Sequence, residues 1–253
     1  MIARARPLLG TLVSIRADAT EAGLQAAFDA VARVEALMSA HAATSDVARI
    51  YREAHERPVP VHPWTARVLR FARAVSRASA GAFDVTLGRG GASHRDVLLL
   101  PGSRVRLRRP MRIDLGGIAK GFAVDRAVQA LRRAGARSGI VNAGGDLRVF
   151  GPAAERVHVR LPARPNESVA LAVARNRAFA TSAGYFRAEG IDARTGAPLY
   201  GGASVTVTAR TCMAADALTK AIAALGPDMR LLARFGARAW LVDDQGRPYA
   251  ARR

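Results

Sequence analysis

A lysine that follows a glycine pair is the feature of this sequence best suited to chemistry. The segment 111–131 runs from a short apolar stretch that contains Asp114 into Gly116 and Gly117, and then into a helical pattern of apolar residues with Lys120 at its beginning. A glycine turn lets a ligand approach the backbone closely, and a helix N-terminus attracts anions. The segment therefore predicts a strand, a turn that can hold an anionic ligand, and a helix.

Lys120 and Lys220 are the only lysines among the 39 lysine and arginine residues of the chain. An ammonium is a compact point charge on a flexible stem, whereas a guanidinium is planar and rigid. The two lysines therefore mark positions where an amine is needed. The alternative is that they are chance survivors in an arginine-rich composition.

The predicted elements that position these residues are mainly helices in the first half of the chain and mainly strands after residue 139. Apolar residues at helical spacing predict helices at Glu21–Met38, Trp64–Ser79 and Met213–Leu225, the last with Thr211 as its N-cap. Residues 139–150 predict two strands joined at Ala143-Gly144-Gly145, and strands dominate from there to residue 208. Early helices followed by strand pairs predict an α+β fold in a single compact domain over residues 1–253, with a largely antiparallel sheet and packed helices.

The composition excludes several classes of function. The net charge is +19, yet the arginines are scattered and few aromatic residues accompany them, which disfavours a nucleic-acid site. A single cysteine, Cys212, excludes an internal disulfide framework and a cysteine-based zinc site. The charge is therefore interpreted as an arginine-rich surface that would also favour an anionic substrate.

Nothing in the sequence predicts a membrane-spanning segment, because it contains no run of 18 apolar residues. The apolar run near the N-terminus is short and belongs to a strand predicted at Pro7–Ile15. No signal-peptide cleavage pattern follows it. We therefore expect a cytoplasmic protein, or a periplasmic one if the start codon is misassigned.

Five stretches stand out together in the order of the chain: Leu9–Thr11, Ala82–Asp84, Asp114–Gly121, Asn142–Asp146 and Thr211–Lys220. In that order the set resembles the FAD:protein FMN transferases, the ApbE-like family. The resemblance extends from about Pro7 to Val242, and its specificity comes from the order of the five stretches, since each one alone is weak. It implies a T-fold-like α+β architecture.

The resemblance also implies a magnesium-dependent reaction. FAD is cleaved at its pyrophosphate, FMN is esterified through its phosphate to a Thr or Ser hydroxyl of another protein, and AMP leaves. The implied partners are FAD and an acceptor flavoprotein or redox subunit. The sequence leaves a homodimer open and does not identify the acceptor.

The family pattern carries over to particular residues of this chain. Magnesium would be held by the carbonyl of Gly117 and by Asp216, with Thr219 as a further oxygen ligand. Contacts with the flavin nucleotide are implied for eight residues: Leu9, His41, Ala82, Phe83, Asp84, Asp114, Lys120 and Ile191.

Two departures from the family pattern lie near its reactive centre and its N-terminus. The family has a histidine three residues before the aspartate of an Asp-Pro-Arg-Thr-Gly turn, whereas this chain has Glu189 before Asp192-Ala-Arg-Thr-Gly196. A carboxylate can also act as a base, so Glu189 and Asp192 are predicted catalytic residues. Leu9 stands where the family has methionine, which conserves the side-chain volume.

The third departure, Lys220, concerns the predicted metal site. The family has a threonine four residues after the metal-binding aspartate, and residues at that spacing share a helix face. We therefore expect Lys220 to form an ion pair with Asp216 across one helical turn. An ammonium at about 4 Å from Mg²⁺ would be repelled by about 8 kcal/mol at an effective dielectric constant of about 20. Either Thr219 offers its hydroxyl to a metal instead, or the ammonium of Lys220 replaces the metal and takes a catalytic role.

Three functions remain open from the sequence. The first is a working flavin transferase with altered site chemistry, and the second is a protein of the same fold that binds FAD or another nucleotide without transferring FMN. The third, a basic nucleic-acid-binding module, is disfavoured. Structural roles also compete at particular residues: Asp84 and Asp146 as turn caps, Asp125 as the partner of an arginine, Cys212 as a small core residue, and His94 as a surface residue.

Overall fold

The computed structural model describes every residue except 153, 162–163, 184–189, 200–202, 244, 246 and 251–253. The α-helices of this part of the chain are α1 (Glu21–Met38), α2 (Asp46–Glu53), α3 (Pro63–Ala78), α4 (Ala119–Arg133), α5 (Cys212–Leu225) and α6 (Met229–Arg234). The strands are β1 (Ile2–Leu8), β2 (Thr11–Ala17), β3 (Val59–Pro60), β4 (Val97–Leu100), β5 (Arg104–Leu107), β6 (Gly139–Ala143), β7 (Asp146–Phe150), β8 (Ala154–Leu161), β9 (Arg164–Arg175), β10 (Ala178–Ala183), β11 (Ser204–Ala209), β12 (Arg238–Val242) and β13 (Pro248–Ala250).

The centre of the fold is an eight-stranded sheet with the strand order β1-β2-β6-β7-β10-β11-β12-β13. Neighbouring strands in this sheet pair in antiparallel fashion. Smaller antiparallel sheets are formed by β3, β5 and β4 and by the long hairpin of β8 and β9. The predicted α+β fold with a largely antiparallel sheet is confirmed.

The long helices lie where their apolar periodicity predicts them. Helix α1 has the predicted bounds, and α5 begins directly after Thr211, whose hydroxyl accepts a hydrogen bond from the Ala214 N–H. The hairpin of β6 and β7 turns at Gly144 and Gly145, as predicted. Both glycines have positive φ angles, which residues with a Cβ rarely adopt.

The first predicted strand, Pro7–Ile15, is wrong, because the chain reverses within it. Leu9 and Gly10 both have positive φ angles, of 57° and 68°, and join β1 to β2 in a two-residue hairpin. Such turns match the twist of the strands they connect. A leucine in this conformation is unusual, and for this reason the sequence pattern does not indicate the turn.

The strand predicted immediately before the glycine pair is also wrong, since residues 111–115 belong to no strand. Their backbone instead leads into a turn. The Asp114 N–H donates to the carbonyl of Val85, and the Asp114 carboxylate accepts the N–H of Gly116 at 2.7 Å. These local bonds direct the chain into α4, which begins at Ala119.

Helices α1, α4 and α5 supply much of the main hydrophobic core with β2 and β6. Helices α4 and α5 approach closely at Gly121, because a Cβ on that residue would lie 2.3 Å from the Cys212 carbonyl oxygen. The absence of a side chain there therefore sets the distance between the two helices. This packing brings the first turn of α4, with Lys120, beside the middle of α5.

No helix among the described residues is long and apolar enough to cross a membrane.

Candidate functional site

Four charged side chains meet where α4, α5 and β7 come together: Lys120, Asp146, Asp216 and Lys220, which we call the charged cluster. The ammonium of Lys220 lies 2.5 Å from Asp216 Oδ1, and that of Lys120 lies 3.3 Å from Asp146 Oδ2. The predicted ion pair of Lys220 with Asp216 across one helical turn is confirmed. Both lysines of the chain therefore lie in one site, although 100 positions separate them in the sequence.

Asp216 is fully buried, and both of its carboxylate oxygens have partners. Oδ1 accepts from Lys220, and Oδ2 accepts the backbone N–H of Gly121 at 2.9 Å. Burial by itself would raise the pKa of Asp216, but the ammonium groups of Lys220 and Lys120 outweigh it and hold the pKa below its ordinary value. Asp216 is therefore a carboxylate that stays charged inside the protein.

Asp146 is also buried, but its carboxylate has fewer hydrogen-bond donors than that of Asp216. Its Oδ2 receives no hydrogen bond from any residue that the structure describes, and Lys120 is at ion-pair distance only. Burial, reinforced by the negative charge of Asp216, raises the pKa of Asp146 to about 6 despite the two lysines. The negative charges of Asp146 and Asp216 raise the pKa of the Lys120 ammonium, because they stabilise its charged form.

The glycine pair packs directly against this cluster. A Cβ on Gly117 would lie 3.4 Å from the ring of Phe83 and 3.5 Å from Cε of Lys220. Gly117 therefore leaves its backbone open between an aromatic edge and the stem of a lysine. The structure brings together predicted site residues from three stretches of the sequence at this point.

Magnesium does not fit the residues at Asp216. Mg²⁺ takes oxygen ligands at about 2.1 Å, and the Asp216 oxygens already bond an ammonium and a backbone N–H. The Thr219 hydroxyl donates to the carbonyl of Asp216 at 2.7 Å and lies 2.8 Å from the Ser182 hydroxyl. Within the described part of the chain, no group of three or more His, Cys, Asp or Glu side chains could hold a metal ion. The metal ligands predicted at Gly117, Asp216 and Thr219 stay a prediction that this arrangement disfavours.

Asp84, a predicted nucleotide contact, is bound within its own loop. Its Oδ1 accepts the N–H and the hydroxyl of Thr86, and its Oδ2 accepts the N–H of His94 and lies 2.9 Å from His94 Nδ1. These contacts agree with the interpretation of Asp84 as a turn cap. The expectation that His94 is a surface residue is wrong, because only 11% of its side chain is exposed.

The Asp192–Gly196 turn is organised by its first residue. The Asp192 carboxylate accepts the backbone N–H, Nε–H and Nη2–H of Arg194. These bonds lower the pKa of Asp192, which makes it a poor proton acceptor. The neighbouring Ile191 is half-buried and pairs with Pro198. The catalytic role of Asp192 and the nucleotide contact of Ile191 stay predictions.

A cavity of about 780 Å³ lies beside this turn rather than at the charged cluster. Asp84 and His94 line it with five arginines: Arg73, Arg77, Arg95, Arg108 and Arg194. None of the four residues of the charged cluster lines this cavity. Its positive lining suits an anionic group in the neighbourhood of the predicted nucleotide contacts.

The remaining predicted contacts are spread over several elements. Leu9 is half-buried at the tip of the first hairpin, where its N–H donates to Glu35, and this hairpin packs on the glycine turn of β6 and β7 through Thr11. Ala82 is buried, and His41 is exposed on the loop between α1 and α2. Glu189 lies outside the described residues, so its role as a base stays a prediction.

Two structural interpretations from the sequence are confirmed. Asp125 forms an ion pair with Arg148 at 2.5 Å, and its carboxylate also accepts the N–H groups of Cys212 and Met213 at the beginning of α5. Cys212 is fully buried, and burial raises the pKa of its thiol well above the ordinary value. Neither residue is therefore available for catalysis.

The role of Asp146 is the part of the site that the sequence does not predict. The side chain that closes the hairpin is Asn142, whose Oδ1 accepts the Gly145 N–H at 2.9 Å. Asp146, at the start of β7, instead faces Lys120. The Gly-Gly-Asp sequence indicates a turn, and only the contact with Lys120, seen in three dimensions, distinguishes a buried ion-pair partner from a turn cap.

Comparison of the chain with protein families and curated proteins supports one family. The profile of the ApbE family matches residues 9–95 and 91–241. A FAD:protein FMN transferase from Rhodobacter capsulatus is 33% identical over 176 residues, which cover 63% of this chain and 34% of that protein. Another from Haemophilus influenzae is 34% identical over 135 residues, or 47% of this chain and 39% of that protein. The matches thus span less than two fifths of the length of these two relatives.

Comparison with solved structures gives near-complete overlap. The ApbE protein from Thermotoga maritima is 27% identical, with a TM-score of 0.85 over 98% of this chain and 96% of that chain. The flavin transferase ApbE from Vibrio cholerae is 24% identical, with a TM-score of 0.83 over 98% and 96% of the two chains. The second comparison concerns the fold alone.

Proposed function

Because the chain belongs to the ApbE family, we propose that it transfers FMN from FAD to a Thr or Ser hydroxyl of an acceptor protein and releases AMP. The similar proteins from Rhodobacter capsulatus and Haemophilus influenzae are named FAD:protein FMN transferases, which supports the proposal. The acceptor would be a flavoprotein or a redox subunit.

The meeting of the two lysines in one charged cluster next to the glycine turn is the observation that carries this proposal. Phosphoryl transfer depends mostly on positioning and on neutralising the charge of the phosphate oxygens. The stem of Lys220 passes beside Gly117, and the ammonium groups of Lys220 and Lys120 lie in the adjoining charged cluster, against Asp216 and Asp146. Asp146 and Asp216 hold these ammonium groups in place from inside the protein.

The reaction exchanges the phosphoanhydride bond of FAD for a phosphate ester bond to the acceptor. The acceptor hydroxyl oxygen forms a bond to the phosphorus of the FMN half, and the bond from that phosphorus to the oxygen shared with AMP breaks. AMP departs with this oxygen, and the hydroxyl proton goes to a base. Glu189 is the predicted base, since the Asp192 carboxylate is held by Arg194 and its pKa is lowered.

The test combines FAD with the purified protein and a candidate acceptor peptide that contains threonine. We expect AMP release together with a fluorescent flavin bound covalently to the acceptor, and loss of both in Lys120→Met. The matched control is Arg133→Met, which removes a cation from an exposed position at the end of the same helix. Saturable FAD binding without AMP release, across a panel of acceptors, would support the alternative function of nucleotide binding alone.

A further inference from the structure

The cation beside Asp216 differs from the one that the family pattern implies: it is the ammonium of Lys220 and not a magnesium ion. Asp216 is fully buried, and its two oxygens are bonded to Lys220 Nζ and to the Gly121 N–H. The side chain of Lys220 is itself only 17% exposed. A buried carboxylate with this set of partners needs no further cation.

We infer that the ammonium of Lys220 takes the place of a divalent metal and that the chain binds the diphosphate of its nucleotide without one. This inference rests on the proposed function, since it concerns the same site and the same ligand. It specifies which cation meets the phosphates.

Geometry is the first support for this exchange. A magnesium ion bound to Asp216 Oδ1 would lie about 2.1 Å from that oxygen, and Lys220 Nζ already lies 2.5 Å from it. The Lys220 stem passes beside Gly117, with Cε 3.5 Å and Cδ 3.7 Å from where a Cβ of that glycine would be. The lysine therefore covers both positions, the carboxylate and the glycine backbone, between which a metal would lie.

The number of donors and charges is the second support. An ammonium carries three N–H donors, and among the described residues only Asp216 accepts one from Lys220, so two remain for phosphate oxygens. Lys120 contributes a second ammonium, seated against Asp146 at 3.3 Å. Two ammonium groups supply the same formal charge as one divalent ion.

The hydroxyl of Thr219, the alternative oxygen ligand, is not directed toward a metal at this position. Thr219 is fully buried, and its hydroxyl bonds the Asp216 carbonyl and the Ser182 hydroxyl. Those bonds direct the hydroxyl toward its own helix backbone and β10. The i+4 residue is therefore the one that faces the carboxylate, and here it is a lysine.

The experiment measures FAD binding by the quenching of flavin fluorescence, once in EDTA and once in excess Mg²⁺. We expect wild type to bind equally well in both buffers. Lys220→Thr restores an oxygen at i+4 and should lose at least about tenfold in affinity in EDTA and regain it with Mg²⁺. Lys220→Met keeps the apolar stem, and we expect weak binding in both buffers.

A direct metal readout complements the nucleotide titration. Free Mn²⁺ gives a characteristic electron paramagnetic resonance signal that is lost when the ion binds to protein. With Mn²⁺ and no nucleotide, we expect the signal to persist with wild type and to fall with Lys220→Thr. If Lys220→Met leaves the buried Asp216 charge without a partner and does not fold, the double variant Lys220→Met/Asp216→Asn removes both charges and takes its place.

The outcomes separate this inference from the proposed function. Wild type that binds FAD only with Mg²⁺, or that binds Mn²⁺ without nucleotide, overturns the inference and leaves the transferase function standing. FAD binding in EDTA without AMP release supports the inference and counts against transfer. No FAD binding in either buffer overturns both.

Discussion

Replacing Asp146 with asparagine tests whether burial of this carboxylate carries an energetic penalty. The folded protein raises the pKa of Asp146 from 3.8 to about 6, so it holds this proton more tightly than the unfolded chain does. The contribution of Asp146 to stability therefore falls as pH rises from about 4 to about 6 and is constant above that range. Asp146→Asn removes a titrating group without changing the side-chain size.

The size of the effect follows from the shift in pKa. Two units at about 1.4 kcal/mol each amount to about 3 kcal/mol. Relative to the variant, wild type should therefore lose about 3 kcal/mol between pH 4 and pH 7. Lys120 loses a partner in the variant, but this cost does not depend on pH in that range, because the pKa of its ammonium is raised.

Urea unfolding followed by tryptophan fluorescence, repeated across this pH range, measures the difference. Asp192→Asn is the matched control, whose difference from wild type should stay constant between pH 4 and pH 7. Arg194 lowers the pKa of Asp192, so its stabilising contribution is present above pH 4 and is lost as pH falls. A difference between wild type and Asp146→Asn that stays constant from pH 4 to pH 7 would refute the assignment of a raised pKa.

Three further predictions concern packing and reactivity. Gly121→Ala should lower the melting temperature by about 5 to 10 °C in calorimetry, because its Cβ would meet a backbone carbonyl at 2.3 Å; Gly117→Ala, with ordinary contacts, should shift it by less than about 2 °C, and equal shifts would contradict the packing argument. His94→Ala should cost about 1 to 3 kcal/mol in urea unfolding, because it removes the ring Nδ1–H beside the buried Asp84 while the backbone N–H remains. His94→Asn, whose amide can replace Nδ1–H, should recover part of this cost; no recovery would show that the ring acts by packing. Cys212 should react with a thiol reagent only after unfolding, and rapid labelling of native protein would contradict its burial.

Sequence patterns predict the parts of the fold that depend on neighbours along the chain. Helix α1 follows from apolar residues that recur at helical spacing, and the start of α5 follows from a threonine N-cap. The hairpin of β6 and β7 follows from a glycine pair between two apolar runs. Lys220 and Asp216 are four residues apart on one helix, so their ion pair is also predictable from local geometry.

Tertiary structure decides the features that join distant parts of the chain. The Gly121 N–H bonds a carboxylate 95 residues away, and Lys120 meets Asp146 across the boundary between a helix and a sheet. No local periodicity encodes such contacts. They exist because a glycine lets α4 and α5 approach closely and because the sheet buries an aspartate at the end of a turn.

The sequence determines the family and identifies Lys220 as unusual, but it does not determine whether an ammonium or a metal lies beside Asp216. A composition with two lysines is enough to single out Lys120 and Lys220. Whether an ammonium excludes a metal depends on which oxygens are already bonded and how deeply Asp216 is buried. These are properties of packed side chains, and only the three-dimensional arrangement sets them.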